Sequence, residues 1–342
     1  MKCSRLIVLS LLSLFLYSCG GTDQLRDDND LGTGYYKKQP AGLALNNWIN
    51  NHFDLVTRIQ SSVFYRTYEF NPELNLFQSD LRDTLFEDLA VNITAQNETR
   101  AGTAVIFTES NNNLALLTAS HIVNHPDTIW HFSQNAQEQI GTPPVDAVSV
   151  KIREAHSIFE RDTFGPLDLI IADRNLDLAV LATRFDVKSG LTAGTIKTGN
   201  SSLLEWADFV YVAGYPKGIK MITSGLVSLT DQRSRGGFSL DASFNRGFSG
   251  GIILAANNRT NELEWVGLLT NTTADIEYIL TPGFMTDDQY NPEIPYTGAI
   301  YIERKNRINY GLSHSVDINQ IRNFLRQNRR ELGLYGFGIG NF

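Results

Sequence analysis

Short apolar runs separated by turn residues dominate most of this chain. Each run has the length of a strand, and clusters of Gly, Asn, Asp and Pro separate it from the next. The runs predict strands at residues 62–70, 103–108, 114–118, 168–172, 178–181, 209–213, 251–254 and 265–269. Many short strands with frequent turns are typical of an all-β sandwich or barrel.

Helical spacing of apolar residues occurs at both ends of this strand-rich region. Residues 43–60 show it first, and they predict one N-terminal helix. Residues 318–328 show it again and predict a C-terminal helix, with Asp317 in the position of an N-cap. Residues 331–342 are rich in glycine and aromatic side chains, and their pattern favours neither helix nor strand.

The first 18 residues have the pattern of an export signal. A basic start precedes an almost continuous apolar run from Leu6 to Tyr17, which is too short to cross a bilayer as a stable helix. The run ends in Leu-Tyr-Ser-Cys-Gly, which resembles the lipobox of bacterial lipoproteins. This resemblance implies that Cys19 becomes the lipidated first residue of a protein anchored in the bacterial cell envelope. Ordinary cleavage and secretion is the alternative.

Cysteine usage agrees with lipidation. The only other cysteine of the sequence, Cys3, lies inside the signal, so its removal leaves Cys19 alone. A single cysteine excludes a disulfide within the chain, and acylation would protect a thiol that an oxidising compartment attacks. The polar, Asp-rich residues that come next predict a flexible tether over residues 19–42.

The overall composition is that of a globular protein with a sizeable core. Hydrophobic residues make up 42% of the chain and charged residues 19%, and the length suits one or two domains. The formal net charge is −8, and basic residues form no cluster along the sequence, which argues against nucleic acid as a partner. We expect no cofactor.

A serine among glycines is the strongest chemical signal in the chain. Residues 244–251 read Phe-Asn-Arg-Gly-Phe-Ser-Gly-Gly, and Ser249 needs a base and oxyanion donors to become a nucleophile. The nucleophile elbow of α/β-hydrolases is one template, but it requires a helix after the serine and a histidine downstream of an acid. Here a β-like run, 252–254, follows, and His314 is the one downstream histidine. The elbow therefore does not fit.

The second template is the chain order His, Asp, Ser of chymotrypsin-like proteases. Residues 116–123, Leu-Leu-Thr-Ala-Ser-His-Ile-Val, resemble that family's Thr-Ala-x-His-x-Val run, with His121 as the base. Residues 175–181 resemble its Asp-Leu-Ala-Val-Leu element, with Asp177 as the acid that orients the histidine. With Ser249 as the nucleophile, the resemblance implies a complete catalytic triad.

Two alternatives concern the acid and the base. Asp168 and Asp173 are rivals of Asp177, but only Asp177 opens the Asp-Leu-Ala run. A metal cluster of His121 with His125 and the nearby histidine at position 131 is the other alternative. It lacks the helical histidine pair with a neighbouring acid that zinc enzymes use, so we expect no metal.

The resemblance is greatest to the bacterial HtrA/Deg proteases. Thr-Gly-Asn-Ser at 198–201 leads to an apolar strand that ends in Gly-Tyr-Pro at 214–216, and Thr-Ser-Gly-Leu-Val-Ser follows at 223–228. Asp-Ala precedes Asn-Arg-Gly within 241–247. Each motif is weak by itself, whereas several in the same order over roughly residues 43–330 are specific. After the predicted C-terminal helix there is no sequence that could form the PDZ domain typical of the group, so we expect a protease domain without a PDZ domain.

The resemblance implies two six-stranded antiparallel β-barrels of the trypsin-like type. The first, residues 43–190, would carry the histidine and the aspartate, and the second, 191–330, would carry the serine and the terminal helix. Residues 331–342 would form a tail. Residues 71–98 and 275–308 are expected to be insertions.

The same resemblance implies how the site works. Backbone N–H groups of Gly247 and Ser249 would form the oxyanion hole. Ser243, six residues before Ser249, would be the floor of the specificity pocket, and a small uncharged floor favours a small or medium apolar substrate side chain. Phe248 stands where zymogen-activated relatives carry Asp, so activation by an ion pair with a new N-terminus is not expected.

The implied function is a lipid-anchored serine endopeptidase that acts on polypeptides through an acyl-enzyme. A protease-fold binding protein without turnover, and an esterase with the same triad, are the alternatives. The membrane, through the lipid on Cys19, is the other expected partner, and the sequence leaves the oligomeric state open.

Overall fold

The computed structural model describes residues 34–82, 84–133, 143–160, 163–183, 193–229, 237–243, 245–282, 298 and 300–339. The predicted signal, Cys19 and most of the predicted tether lie outside the described residues. Within these ranges, no helix combines the length and the apolar character that crossing a membrane requires.

The first barrel is an antiparallel sheet that closes on itself. Its strands pair in the order β1-β2-β3-β7-β6-β5, and β1 also pairs with β5 to complete the ring of six, while β4 adds to the outside of β5. Buried side chains alternate with more exposed ones along most of β1, as expected when one face of a strand lines a core. The strands are β1 (Val56–Phe70), β2 (Ala90–Ser110), β3 (Asn113–Thr118), β4 (Thr128–Phe132), β5 (Val145–Glu160), β6 (Thr163–Asp173) and β7 (Leu178–Thr183).

The second barrel also has six antiparallel strands. They close in the order β10-β13-β12-β11-β8-β9. Two closed barrels leave few free strand edges, which is how all-β proteins of this size bury their backbone polar groups. The predicted all-β fold with two six-stranded antiparallel barrels is confirmed. The strands are β8 (Phe209–Gly214), β9 (Met221–Leu229), β10 (Gly237–Ala242), β11 (Ile252–Ala256), β12 (Leu263–Pro282) and β13 (Ile300–Asp317).

Helices are few and short. Single-turn 3₁₀ segments occur at Phe53–Leu55, Pro72–Leu74, Ser201–Leu203 and Pro216–Gly218. Helices lie near both ends of the described chain, as the apolar spacing predicted. The α-helices are α1 (Gly42–His52), α2 (Phe86–Leu89), α3 (Ser120–Val123), α4 (Ile318–Gln327) and α5 (Arg329–Leu334).

The prediction of one helix over residues 43–60 was wrong in its second half. Helix α1 ends at His52, and β1 begins at Val56. Val56, Thr57 and Ile59 are β-branched, so they favour a strand when a partner strand is available. That partner is β2, where Val56 lies opposite Val105.

The C-terminal end follows its prediction and adds to it. The side chain of Asp317 caps α4 by accepting the N–H of Gln320 at 2.9 Å. Beyond α4, the unassigned residues continue as α5, and Phe337 is then buried against the main core. The hydroxyl of Thr108 donates to the carbonyl of Gly338 at 3.4 Å, which holds this end on the first barrel.

The two predicted insertions extend the barrels. Residues 71–98 contain a 3₁₀ turn, α2 and the first half of β2, which pairs with the outer half of β1. The described parts of the second range, residues 275–282 and 300–308, prolong β12 and β13, and Pro282 lies opposite Ile300.

Candidate active site

His121 and Asp177 form a tightly held pair at one end of the first barrel. His121 lies in the single turn of α3 that directly follows β3. Its Nδ1 is 2.8 Å from Asp177 Oδ2, and its backbone N–H donates to Asp177 Oδ1 at 2.8 Å. A carboxylate can only accept, so Nδ1 carries the proton and Nε2 is left as a base.

The backbone around Asp177 explains why this carboxylate reaches the histidine. Asp177 has φ of +56°, a left-handed conformation that Asp tolerates better than most residues. Its carbonyl accepts the N–H of Ser120 at 3.1 Å, which ties the aspartate turn to the start of α3. One residue thereby orients the histidine through its side chain and fixes the neighbouring helix through its backbone.

The two alternative candidates for the acid, Asp173 and Asp168, lie elsewhere in the turn and in β6. Asp173 Oδ1 accepts the N–H groups of Asn175 and Leu176 at 2.8 and 3.0 Å, so it caps the turn that leads to Asp177. Asp168 lies within β6, opposite Ala182 of β7. Of the three carboxylates, Asp177 is the one that meets His121.

Ser249 lies in a tight loop between β10 and β11 that touches the first barrel. Its carbonyl accepts the N–H of Thr103 at 2.8 Å. Gly250 has φ of +83°, and a Cβ there would lie within 1.9 Å of the Thr103 carbonyl oxygen and 2.6 Å of Thr118 Oγ1. Glycine is therefore required for this close approach. Since Thr118 lies three residues before His121, the loop brings Ser249 to the same end of the first barrel.

Thr103, which the sequence motifs did not single out, holds this loop by hydrogen bonds. Its hydroxyl donates to the carbonyl of Gly247 at 2.6 Å and accepts the N–H of Tyr215 at 2.9 Å. Its own carbonyl accepts the hydroxyl of Thr118 at 2.7 Å. Thr103 is fully buried, so a single side chain of the first barrel joins two loops of the second. The sequence signal was the Gly-Thr pair that opens the apolar part of β2.

Two backbone N–H groups beside Ser249 are available for a ligand. The carbonyl of Arg246 accepts the N–H of Lys217 at 2.8 Å. Because the Arg246–Gly247 peptide is trans, the N–H of Gly247 points the opposite way. In the described part of the chain, the N–H groups of Gly247 and Ser249 have no protein acceptor. Two such donors beside a nucleophile are what an oxyanion requires.

Ser249 and His121 are not hydrogen-bonded to each other in this structure. Between these two described residues there is no bond from Ser249 Oγ to the His121 ring, whose side chain is 45% exposed. Catalytic hydrogen bonds in ligand-free enzymes are often long and tighten when substrate binds. The described residues therefore place the His121–Asp177 pair at the end of the first barrel that the Ser249 loop contacts, and two N–H groups of that loop are without a protein acceptor.

Phe248 is buried inside the second barrel. It is 2% exposed and belongs to the apolar cluster that fills that barrel. Its ring lies so close to Gly214 that a Cβ on the glycine would be 2.9 Å from Phe248 Cδ1. Ser243, the predicted pocket floor, is exposed and directly follows β10.

Residues 102–263 match the model of the trypsin-like peptidase domain family. The matched range contains His121, Asp177 and Ser249. No curated protein sequence matches the chain. The trypsin-like fold of the two barrels agrees with the family match.

Solved structures of an HtrA-type protease are similar to this chain. The structure of AlgW with tripeptide is 17% identical, with a TM-score of 0.42, and the match covers 84% of this chain and 64% of that chain. The structure of AlgW with decapeptide is 18% identical, with a TM-score of 0.43, and the match covers 84% of this chain and 67% of that chain. This chain thus spans about two thirds of those proteins.

A buried relay of hydrogen bonds joins His125, four residues after His121, to Ser61 of β1 and His156 of β5. Ser61 Oγ is 2.8 Å from both His125 Nε2 and His156 Nδ1. His125 Nδ1 is buried without a partner among the described residues, and burial lowers the pKa of His125 to about 4. Burial also lowers the pKa of His156, whose Nε2 is 3.9 Å from Glu154. His131 is held separately by Ser149 at 2.8 Å, so the three clustered histidines of the sequence have different partners.

Proposed function

We propose that this protein is a serine endopeptidase in which Ser249 is the nucleophile, His121 the general base and Asp177 the orienting acid. The observation that carries the proposal is the pair of 2.8 Å hydrogen bonds from His121 to the two carboxylate oxygens of Asp177. These bonds select the tautomer in which Nε2 can take a proton from a serine. The loop of Ser249 faces the same end of the barrel.

The proposed reaction has two halves. Ser249 Oγ attacks the carbonyl carbon of a peptide bond while His121 Nε2 takes the hydroxyl proton, and the carbonyl π electrons move onto the oxygen. Collapse of this tetrahedral intermediate breaks the C–N bond, and His121 returns the proton to the leaving amine. Water then attacks the acyl-enzyme in the same way, and releases the new carboxyl terminus and the free serine.

The negative oxygen would be held by the N–H groups of Gly247 and Ser249. Both are without a protein acceptor among the described residues, and the peptide before Gly247 is fixed from behind by Lys217. Donors held in place before the reaction stabilise developing charge without reorganisation, and one such donor is typically worth about 3 kcal/mol in the barrier. The positive φ of Gly247, +105°, is what allows this peptide orientation.

Substrate class and location complete the proposal. The substrate is a polypeptide, and the small exposed Ser243 favours a small or medium apolar side chain before the scissile bond. The lipobox-like run at residues 16–20 supports lipidation of Cys19 and placement in a bacterial cell envelope. Extraction of the protein into the detergent phase, lost in Cys19→Ala, tests the anchor.

Labelling with a fluorophosphonate probe is the decisive experiment. Wild-type protein should be labelled at Ser249 and should cleave casein, whereas Ser249→Ala should do neither while keeping its melting temperature. Ser79→Ala, which changes an exposed serine of the first-barrel extension, is the matched control and should behave as wild type.

The alternatives predict other outcomes. A folded wild-type protein that resists the probe would favour a protease-fold binding protein. Labelling of Ser249 with hydrolysis of p-nitrophenyl esters but of no peptide would favour an esterase. Either result would overturn the endopeptidase assignment.

A further inference from the structure

A group of basic side chains borders the proposed oxyanion loop. The turn Pro216–Gly218 and the residue Arg246 face each other through the 2.8 Å bond from Lys217 N–H to Arg246 C=O. The side chains of Lys217 and Arg246 are both exposed. The turn also touches the next residue, since a Cβ at Gly247 would lie 2.2 Å from the Tyr215 carbonyl oxygen. This surface therefore begins one residue from a proposed oxyanion donor.

Two further cations join the same surface from either side of the turn. The guanidinium of Arg58 lies against Gly218, where a Cβ would be 3.0 Å from Nη1, and stacks 5.0 Å from the centre of the Phe159 ring. The ammonium of Lys220 lies 5.6 Å from the centre of the Tyr215 ring. We name this surface the basic wall, and it consists of Arg58, Lys217, Lys220 and Arg246.

Little negative charge offsets the basic wall. Lys220 is 3.6 Å from Asp54, so the charge that this surface offers comes mainly from the other three cations. In the described part of the chain, no carboxylate lies within 4.0 Å of the cationic groups of Arg58, Lys217 or Arg246. The whole chain carries a formal charge of −8, so the local charge beside the site is opposite to the global charge.

The backbone of Lys217 has a conformation that is uncommon for lysine. Its φ and ψ are 50° and 26°, a left-handed conformation that glycine or asparagine adopts at lower cost. Non-glycine residues held in this region tend to occur at ligand sites, where surrounding contacts enforce the conformation. Here the contact is the bond to Arg246, and the result is a lysine presented beside the oxyanion loop.

We propose that the basic wall selects peptides with Asp or Glu within about two residues of the scissile bond. The inference rests on the proposed peptidase function and names its substrate class. An arginine side chain spans about two residues of extended peptide, at roughly 3.3 Å per residue, so Arg246 can reach either neighbour of the reacting carbonyl. Its fork also suits bidentate binding of a carboxylate, and Lys217 adds a second charge.

The test compares quenched fluorescent peptides that differ at one position near the bond. Full-length wild-type protein is expected to show about tenfold higher kcat/KM for Asp than for isosteric Asn, and less activity for Lys, at low salt. Because exposed charges are screened within roughly 10 Å at 0.1 M salt, the preference should shrink in 0.5 M NaCl. Arg246→Glu should remove or invert the preference, and Lys217→Asn, which suits a left-handed backbone, should weaken it.

Two controls separate the possible failures. Arg330→Glu makes the same charge change at an exposed residue of α5 and should leave the preference intact; an effect equal to that of Arg246→Glu would overturn the proposal. Fluorophosphonate labelling rates of each variant report whether the site is still assembled. Normal labelling with equal cleavage of Asp and Asn peptides would overturn the preference alone, whereas no labelling of wild type would overturn the peptidase and the preference together.

Discussion

The hydroxyl of Thr103 donates a 2.6 Å hydrogen bond to the carbonyl of Gly247. The two residues belong to different barrels and are 144 positions apart in the chain. The same hydroxyl accepts the N–H of Tyr215. A first-barrel side chain thus holds both the loop of the proposed nucleophile and the turn that fixes the preceding peptide.

Replacing Thr103 should therefore affect turnover more than substrate binding. Thr103→Val keeps the shape but leaves the Gly247 carbonyl and the Tyr215 N–H without their partner, at a cost of about 1–3 kcal/mol for each buried group. We expect kcat to fall at least tenfold with little change in KM. Thr103→Ser keeps the hydroxyl and should restore most of kcat, measured on one fluorescent peptide. Equal kcat in the two variants at equal melting temperature would contradict the positioning role.

Asp177→Asn should nearly abolish activity while the fold remains. The amide can donate a proton to Nδ1, which favours the tautomer that carries its proton on Nε2 and so removes the base. In serine proteases with this triad, the equivalent change lowers kcat about 10⁴-fold. Asp173→Asn is the matched control, because that carboxylate caps the neighbouring turn without touching His121. It should cost about 1 kcal/mol of stability and little activity.

Gly250→Ala should displace the serine loop. A Cβ at this position would meet the Thr103 carbonyl oxygen at 1.9 Å, and the φ of +83° is strained for alanine. We expect fluorophosphonate labelling to drop by more than tenfold. Gly42→Ala is the control, since a Cβ there meets nothing within 4 Å, and its labelling rate should equal that of wild type.

Stability should fall as the pH is lowered from about 6.5 toward 4. Burial holds the pKa of His125 at about 4 in the folded protein, against an ordinary value of 6.5, so the unfolded chain binds more protons in this window. The charges of Arg100 and His156 lower it further, while Glu154 and Glu98 oppose them. The stabilisation from neutral His125 is complete above about pH 6.5 and is lost on acidification, by roughly 3 kcal/mol at pH 4.

Urea denaturation at pH 7 and pH 4.5 measures this loss. His125→Gln removes the titrating group and can still bond to Ser61, so its free energy of unfolding should depend less on pH. His131→Gln changes a histidine outside the relay and should keep the wild-type dependence. If the free energy of unfolding of the wild-type protein does not change between these pH values, the predicted effect of His125 on stability is wrong.

Most of the fold could be predicted from local patterns in the sequence. The strand runs, the C-terminal helix and the Asp317 cap all follow from periodicity and capping, which act over a few residues. The helix prediction over 43–60 failed because β1 has two partner strands, and that pairing is visible only in three dimensions. Short-range spacing could not distinguish a helix from a strand at Val56.

The candidate site likewise contains residues that local motifs predicted and residues that they did not. His121, Asp177 and Ser249 were recognisable because each lies in a contiguous motif, and their catalytic roles stay predictions. Thr103 was missed because the partners of its hydroxyl lie more than 100 residues away. The basic wall was missed for the same reason, since its four cations are scattered between Arg58 and Arg246 and the sequence shows no basic cluster.

Burial of Phe248 bears on how such an enzyme would be restrained. This side chain is buried in the apolar cluster of the second barrel, so position 248 offers no carboxylate to pair with a new N-terminus. The loop is instead held by contacts from the other barrel, which are present as soon as the two barrels dock. The proposed peptidase would then need no activating cleavage. Its activity would be limited by where the cell places it and by which polypeptides come within reach.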